Sequence, residues 1–138
     1  ATAVGARGAA VYLRALEDAD PRVREAGIAA AGQLGIAALG DRILPLAVRE
    51  GEPPEVRRTA VRALGLLRHE PGVPTLATIA RAETPLGDDA CFALARVRSS
   101  AAVAALAGLL AGSRGARMEL LEFLLSERFE EQERGLGR

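Results

Sequence analysis

Apolar residues recur along this chain at three- and four-residue steps within a series of short segments, the spacing that lines one face of an α-helix. One set comprises residues 11–16, 43–48, 73–79 and 103–110, with Leu13, Leu46, Leu76 and Leu106 in the same register. Longer segments alternate with them: residues 21–34, 54–67, 84–97 and 116–124. Asp20-Pro21, Pro53-Pro54 and Thr84-Pro85 put a capping residue or a first-turn proline ahead of the first three longer segments. Gly35, Gly40, Gly51, Gly72 and Gly112 stand where helices should stop. The pattern predicts eight helices in four antiparallel pairs over residues 9–128, with Pro45 and Pro74 near the starts of their helices. Residues 1–8 are expected to be a flexible lead or the remnant of a preceding repeat, and residues 129–138 a polar C-terminal tail.

The longer segments are near-copies of one another. Residues 21–34 can be laid over residues 54–67 at a shift of 33, with Pro, Val, Arg, Ala, Gly and Leu recurring in step. A third copy follows at a shift of 30, where Ala90, Ala93, Leu94 and Val97 fall on Ala60, Ala63, Leu64 and Leu67. A weaker fourth copy carries Met118, Leu120, Leu121, Phe123 and Leu124. A fixed period of this length marks stacked supersecondary units, whose function usually lies on the surface that the stack creates.

The unit resembles the HEAT repeat, in the short bacterial form associated with phycobilisome lyases. The first unit supplies Leu13-x-x-Leu16, Asp18-x-Asp20, Val23-Arg24 and Ala30-Ala31-Gly32-Gln33-Leu34-Gly35. The second supplies Val56-Arg57 and Ala63-Leu64-Gly65-Leu66-Leu67. The third departs, with Leu86-Gly87 in place of Val-Arg and Ala95 in place of the glycine. The resemblance implies an all-α fold, a right-handed α-solenoid of about four antiparallel helix pairs, with the second helices lining a concave face. Gly32 and Gly65 fall mid-helix, where glycine costs about 1 kcal/mol against alanine, so a neighbouring backbone is expected to approach there. Arg24 and Arg57 are expected to reach acids in the inter-helix turns, Asp18 or Asp20 for the first and Glu52 for the second.

Composition narrows the function. Only 3% of residues are aromatic and none is Trp, so the core must come mainly from Ala, Leu and Val. Eighteen arginines balance eighteen acids, whereas a general polyanion binder carries a basic excess. Nucleic acid and anionic membrane are therefore disfavoured partners. The single cysteine cannot form an internal disulfide, and no apolar run approaches the roughly 18 residues that span a bilayer. A soluble cytoplasmic protein is the expectation.

On the implied concave face, the candidate partner-binding residues are Arg58, Thr59, Arg62, Leu66, Asp88, Asp89, Phe92, Arg96 and Glu122. Arg58 and Arg62 lie one turn apart, and Phe92 aligns with Arg62, so its ring should be at least partly exposed. An aromatic beside paired charges has the composition of an interface hot spot. In the alternative, Arg58 and Arg62 pair with Asp88 and Asp89 across neighbouring helices and Phe92 fills a gap. Four units would make a groove roughly 30–40 Å long, enough for about ten extended residues or a partner helix.

Catalytic candidates are poor. Cys91 aligns with Val61 and Ile28, which reads as a small core residue. His69-Glu70 resembles one His-Glu pair of deoxyhypusine hydroxylase, an iron enzyme on the same repeat. That site needs several such pairs, and this chain has one histidine, expected to be solvated after a helix C-terminus. No metal, cofactor or catalytic residue is expected. The leading expectation is a non-catalytic scaffold or adaptor for a protein or peptide. The alternatives are an accessory subunit of a larger enzyme such as a tetrapyrrole lyase, and, disfavoured, a nucleic-acid binder. Self-association through the N-terminal edge around Val4 and Val11 is a further possibility.

Overall fold

A computed structural model describes the backbone of residues 3–136 and the side chains of residues 8–135. The described residues are all-α. They form α1 (Ala3–Leu16), α2 (Pro21–Leu34), α3 (Gly40–Val48), α4 (Pro54–Leu66), α5 (Val73–Ala80), α6 (Pro85–Val97), α7 (Ser100–Ala111), α8 (Gly115–Leu124) and α9 (Glu127–Leu136), with single 3-10 turns ahead of α3 and α5. The helix starts are built as the sequence suggests. The Asp20 carboxylate accepts from the Arg22 N–H ahead of Pro21, and the Thr84 hydroxyl accepts from the Gly87 N–H ahead of Pro85. Gly35 ends α2 in the left-handed region at φ 70°, which suits a residue without Cβ.

Three segments differ from expectation. α1 already includes residues 3–8, and residues 1–2 lie outside the described residues. Pro45 sits inside α3, five residues after its start at Gly40. Residues 129–136, read from the sequence as part of a polar tail, belong to a ninth helix that begins at Glu127, and residues 137–138 lie outside the described residues.

Each of α1, α3, α5 and α7 packs on the helix that follows it, while α2, α4, α6 and α8 touch one after another. Burial repeats with the sequence. Gly27, Ile28, Ala31 and Gly32 are buried in α2, and Ala60, Val61, Leu64 and Gly65 in α4. In α6 the matching positions Ala90, Cys91, Leu94 and Ala95 are buried. The glycines mark close approach: a Cβ on Gly32 would lie 3.1 Å from Ala63 Cα, and one on Gly65 would lie 2.7 Å from Ala93 Cα.

The arginine–acid pairs cross between units. Arg24 donates to Glu52 Oε1 through Nε at 3.0 Å, and to the carbonyls of Asp18 and Ala19. Glu52 thus pairs with Arg24 of the preceding unit and with Arg49, instead of Arg57, which donates to the Arg49 carbonyl. Adjacent turns lie closer in space than the sequence order implies, so Arg24 bridges α2 to the turn before α4. Burial works against the Glu52 charge, yet hydrogen bonds from Arg24 and Arg49 hold its carboxyl below its ordinary value.

Candidate functional site

The exposed faces of α4 and α6 bring most of the candidate residues together. Arg62, Leu66, Asp89, Phe92 and Arg96 line one shallow depression of about 330 Å³. Asp89 holds the arginine side of it. Its carboxylate accepts from Arg58 Nε at 2.7 Å and, at a longer 3.5 Å, from Arg62 Nε. The two guanidinium side chains stay 42% and 54% exposed, so one carboxylate faces two solvent-accessible cations. Leu66 is 48% exposed beside them, on the face of α4 opposite its packed residues.

Three candidates fall outside this group. Asp88 points away from Arg58 and Arg62, as adjacent helical residues diverge by about 100°. Its Oδ1 accepts from Arg117 Nε at 3.1 Å and Nη2 at 2.9 Å. Arg117 is itself buried and also donates to the carbonyls of Ala80 and Ala82, tying α8 to the end of α5. The Thr59 hydroxyl donates to the Glu55 carbonyl one turn back at 2.8 Å. Glu122 is exposed on α8 and does not line the depression.

Phe92 is half-buried and forms the ridge between that depression and a second one of about 480 Å³, lined by Glu83, Asp88, Arg114 and Arg117 among others. The chain has three phenylalanines, and all three meet here. The Phe129 ring lies 6.3 Å from Phe92 and 5.8 Å from Phe123, the latter edge-on at 80°. Arg96 lies 5.9 Å from the Phe92 ring centroid and donates to Glu133 Oε1 at 2.7 Å. Phe129 and Glu133 belong to α9, and sequence reasoning missed both. The one available signal was a phenylalanine with a glutamate four residues later, enough to define one helical face.

Reactive chemistry finds little support in these positions. Cys91 is fully buried in α6, and burial pushes its thiol up, with Arg117 acting in the opposite direction. His69 is buried, not solvated: its ring fills the space left by the missing side chain of Gly40, with Nε2 3.1 Å from Asp41 Oδ1. Among the described residues there is no group of three or more His, Cys, Asp or Glu side chains placed to hold a metal ion, and no helix is long and apolar enough to cross a membrane. Val11, at the N-terminal edge, is 53% exposed, while the side chain of Val4 lies outside the described residues. No protein-family model matches this chain, and no curated protein matches it.

Proposed function

We propose that this chain is a non-catalytic protein-interaction scaffold, a right-handed HEAT-like solenoid of four helix pairs whose concave face along α2, α4 and α6 holds a peptide or partner helix. A bacterial, cytoplasmic setting belongs to the same proposal. The observation that carries it is the Arg58–Arg62–Leu66 surface: two accessible cations sharing one carboxylate, next to an exposed leucine and an aromatic ridge. Exposed apolar and cationic side chains in one depression supply both the burial and the orientation that a protein interface needs. The in-step burial of α2, α4 and α6, with glycine at the contacts, supports the stacked architecture. Three successive helices span about two interaxial spacings, roughly 16–20 Å, which suits five or six extended residues or three helical turns.

Affinity capture from the cell of origin, read by mass spectrometry, tests the proposal. Arg62→Glu should weaken capture of the specific partner while leaving helicity by circular dichroism nearly intact, and Phe92→Ala should do the same. A partner held equally well by the parent chain and both variants would put the binding surface elsewhere.

A further inference from the structure

Resting on that groove reading, we propose that α9 is a displaceable internal ligand of this surface, and that the partner displacing it is an acidic helix with an aromatic residue and, four positions on, a glutamate. The geometry is a match of two pairs. Phe92 and Arg96 lie four residues apart on α6, and Phe129 and Glu133 lie four apart on α9. Ring meets ring and carboxylate meets guanidinium, so the two helices present complementary faces. α9 therefore shows which chemistry the surface accepts.

α9 is held lightly. Phe129 is its one buried side chain among the described residues and Glu133 is half-buried, while residues 127, 128, 130–132, 134 and 135 are exposed. Among the described residues α9 is thus held by one buried ring, one partly exposed ion pair and the stacking of exposed Arg128 on Phe123, which places it toward the low-stability end of the fold. Only Leu125 and Ser126 separate it from α8, so it competes for its seat at the effective concentration of a short tether, on the order of millimolar. A trans partner needs an advantage over that, and the surface supplies one. Arg62 and Leu66 continue the depression beyond Phe92 and Arg96, with Arg58 beside them on the same Asp89 carboxylate. With four glutamates against two arginines, α9 is opposite in sign to that arginine edge, and a longer acidic helix would engage both ends.

A fluorescently labelled peptide of residues 125–136, titrated by anisotropy against the full 138-residue chain, tests the proposal. Phe129→Ala removes the internal anchor, and this variant should bind the peptide at least tenfold more tightly than the parent chain. Adding Phe92→Ala to it should abolish the gain. Glu133→Arg repels Arg96 and should raise peptide affinity severalfold. It keeps Phe129, and so carries the test if Phe129→Ala loses helicity. Pairing it with Arg96→Glu should close the seat again. Equal peptide affinity for the parent chain, Phe129→Ala and Glu133→Arg overturns the proposal and makes α9 a fixed cap. Peptide binding that ignores Phe92→Ala does the same. Either failure leaves the groove reading standing if partner capture remains sensitive to Arg62→Glu. Conversely, a releasable α9 with capture indifferent to Arg62 and Phe92 would sink the groove reading and the displacing partner with it, leaving only the release of α9.

Discussion

Gly65→Ala should destabilise this protein although alanine is the better helix former. A Cβ at position 65 would lie 2.7 Å from Ala93 Cα and 3.0 Å from Ala93 Cβ, where carbon atoms sit comfortably at about 3.5–4.0 Å. The nearest atom is backbone, so no rotamer change relieves the overlap and α4 must move away from α6 by about 1 Å. Overpacking of this kind costs about 1–3 kcal/mol. Against it stands the propensity gain of alanine over glycine inside a helix, about 1 kcal/mol. The net is a loss of up to about 2 kcal/mol on those two scales. Gly108 in α7 provides the control, because a Cβ there meets nothing within 4 Å. Gly108→Ala should therefore stabilise by up to about 1 kcal/mol. Gly32→Ala, with Ala63 Cα and Cβ both at 3.1 Å, should fall between the two. Urea unfolding followed by circular dichroism reads all three, and each kcal/mol should appear as about 3–5 °C in the thermal midpoint of a chain this size. A Gly65→Ala variant as stabilised as Gly108→Ala would refute the backbone-to-backbone contact between α4 and α6.

Two further predictions concern buried groups. Glu52→Gln leaves Arg24 and Arg49 facing a neutral amide and should cost about 3 kcal/mol, the low end for breaking a buried pair because Arg49 is half exposed. The folded Glu52 carboxyl lies below its ordinary value of 4.5, so its contribution is complete above that pH and disappears as pH falls through the lower folded value. The parent chain should lose stability there and Glu52→Gln should lose less; identical acid-unfolding curves would remove Glu52 from the account. Cys91 should react with Ellman's reagent only as fast as the fold opens, since it is fully buried and its thiol is pushed up. Prompt labelling of the native protein would contradict that burial.

The all-α fold and the buried faces of α2, α4 and α6 were legible in the sequence because burial follows periodicity. Ile28, Val61 and Cys91 occupy one register in the repeat and all three are fully buried, so the pattern of small and branched residues carried the packing with it. The glycines were legible for the same reason, as a mid-helix Gly32 or Gly65 has no local advantage and must serve a neighbour. Charge pairing was less legible. The Arg24–Glu52 contact joins residues 28 apart, and the direction in which a long side chain reaches across a turn depends on how the units stack. The same limit separated Asp89 from Asp88: both looked available to Arg58 and Arg62, but helical rotation gives one to the arginines and the other to Arg117. His69 escaped because its burial depends on Gly40, a residue 29 positions away that gives no sign of facing it.

α9 was missed for a reason that bears on what it does. Periodicity detects helices that bury a stripe, and among the described side chains of α9 one, Phe129, is buried. A helix fixed permanently to a fold usually earns its place by burying a wide apolar face. Among its described residues, α9 instead combines a polar surface with one buried aromatic anchor, Phe129, set between Phe92 of α6 and Phe123 of α8, and one ion pair to Arg96. These are the features of a reversible contact, in which affinity is concentrated in few groups and the remainder stays solvated. The weakness of the sequence signal and the shallowness of the attachment therefore share one cause, and that cause makes α9 the first element to test as a moving part.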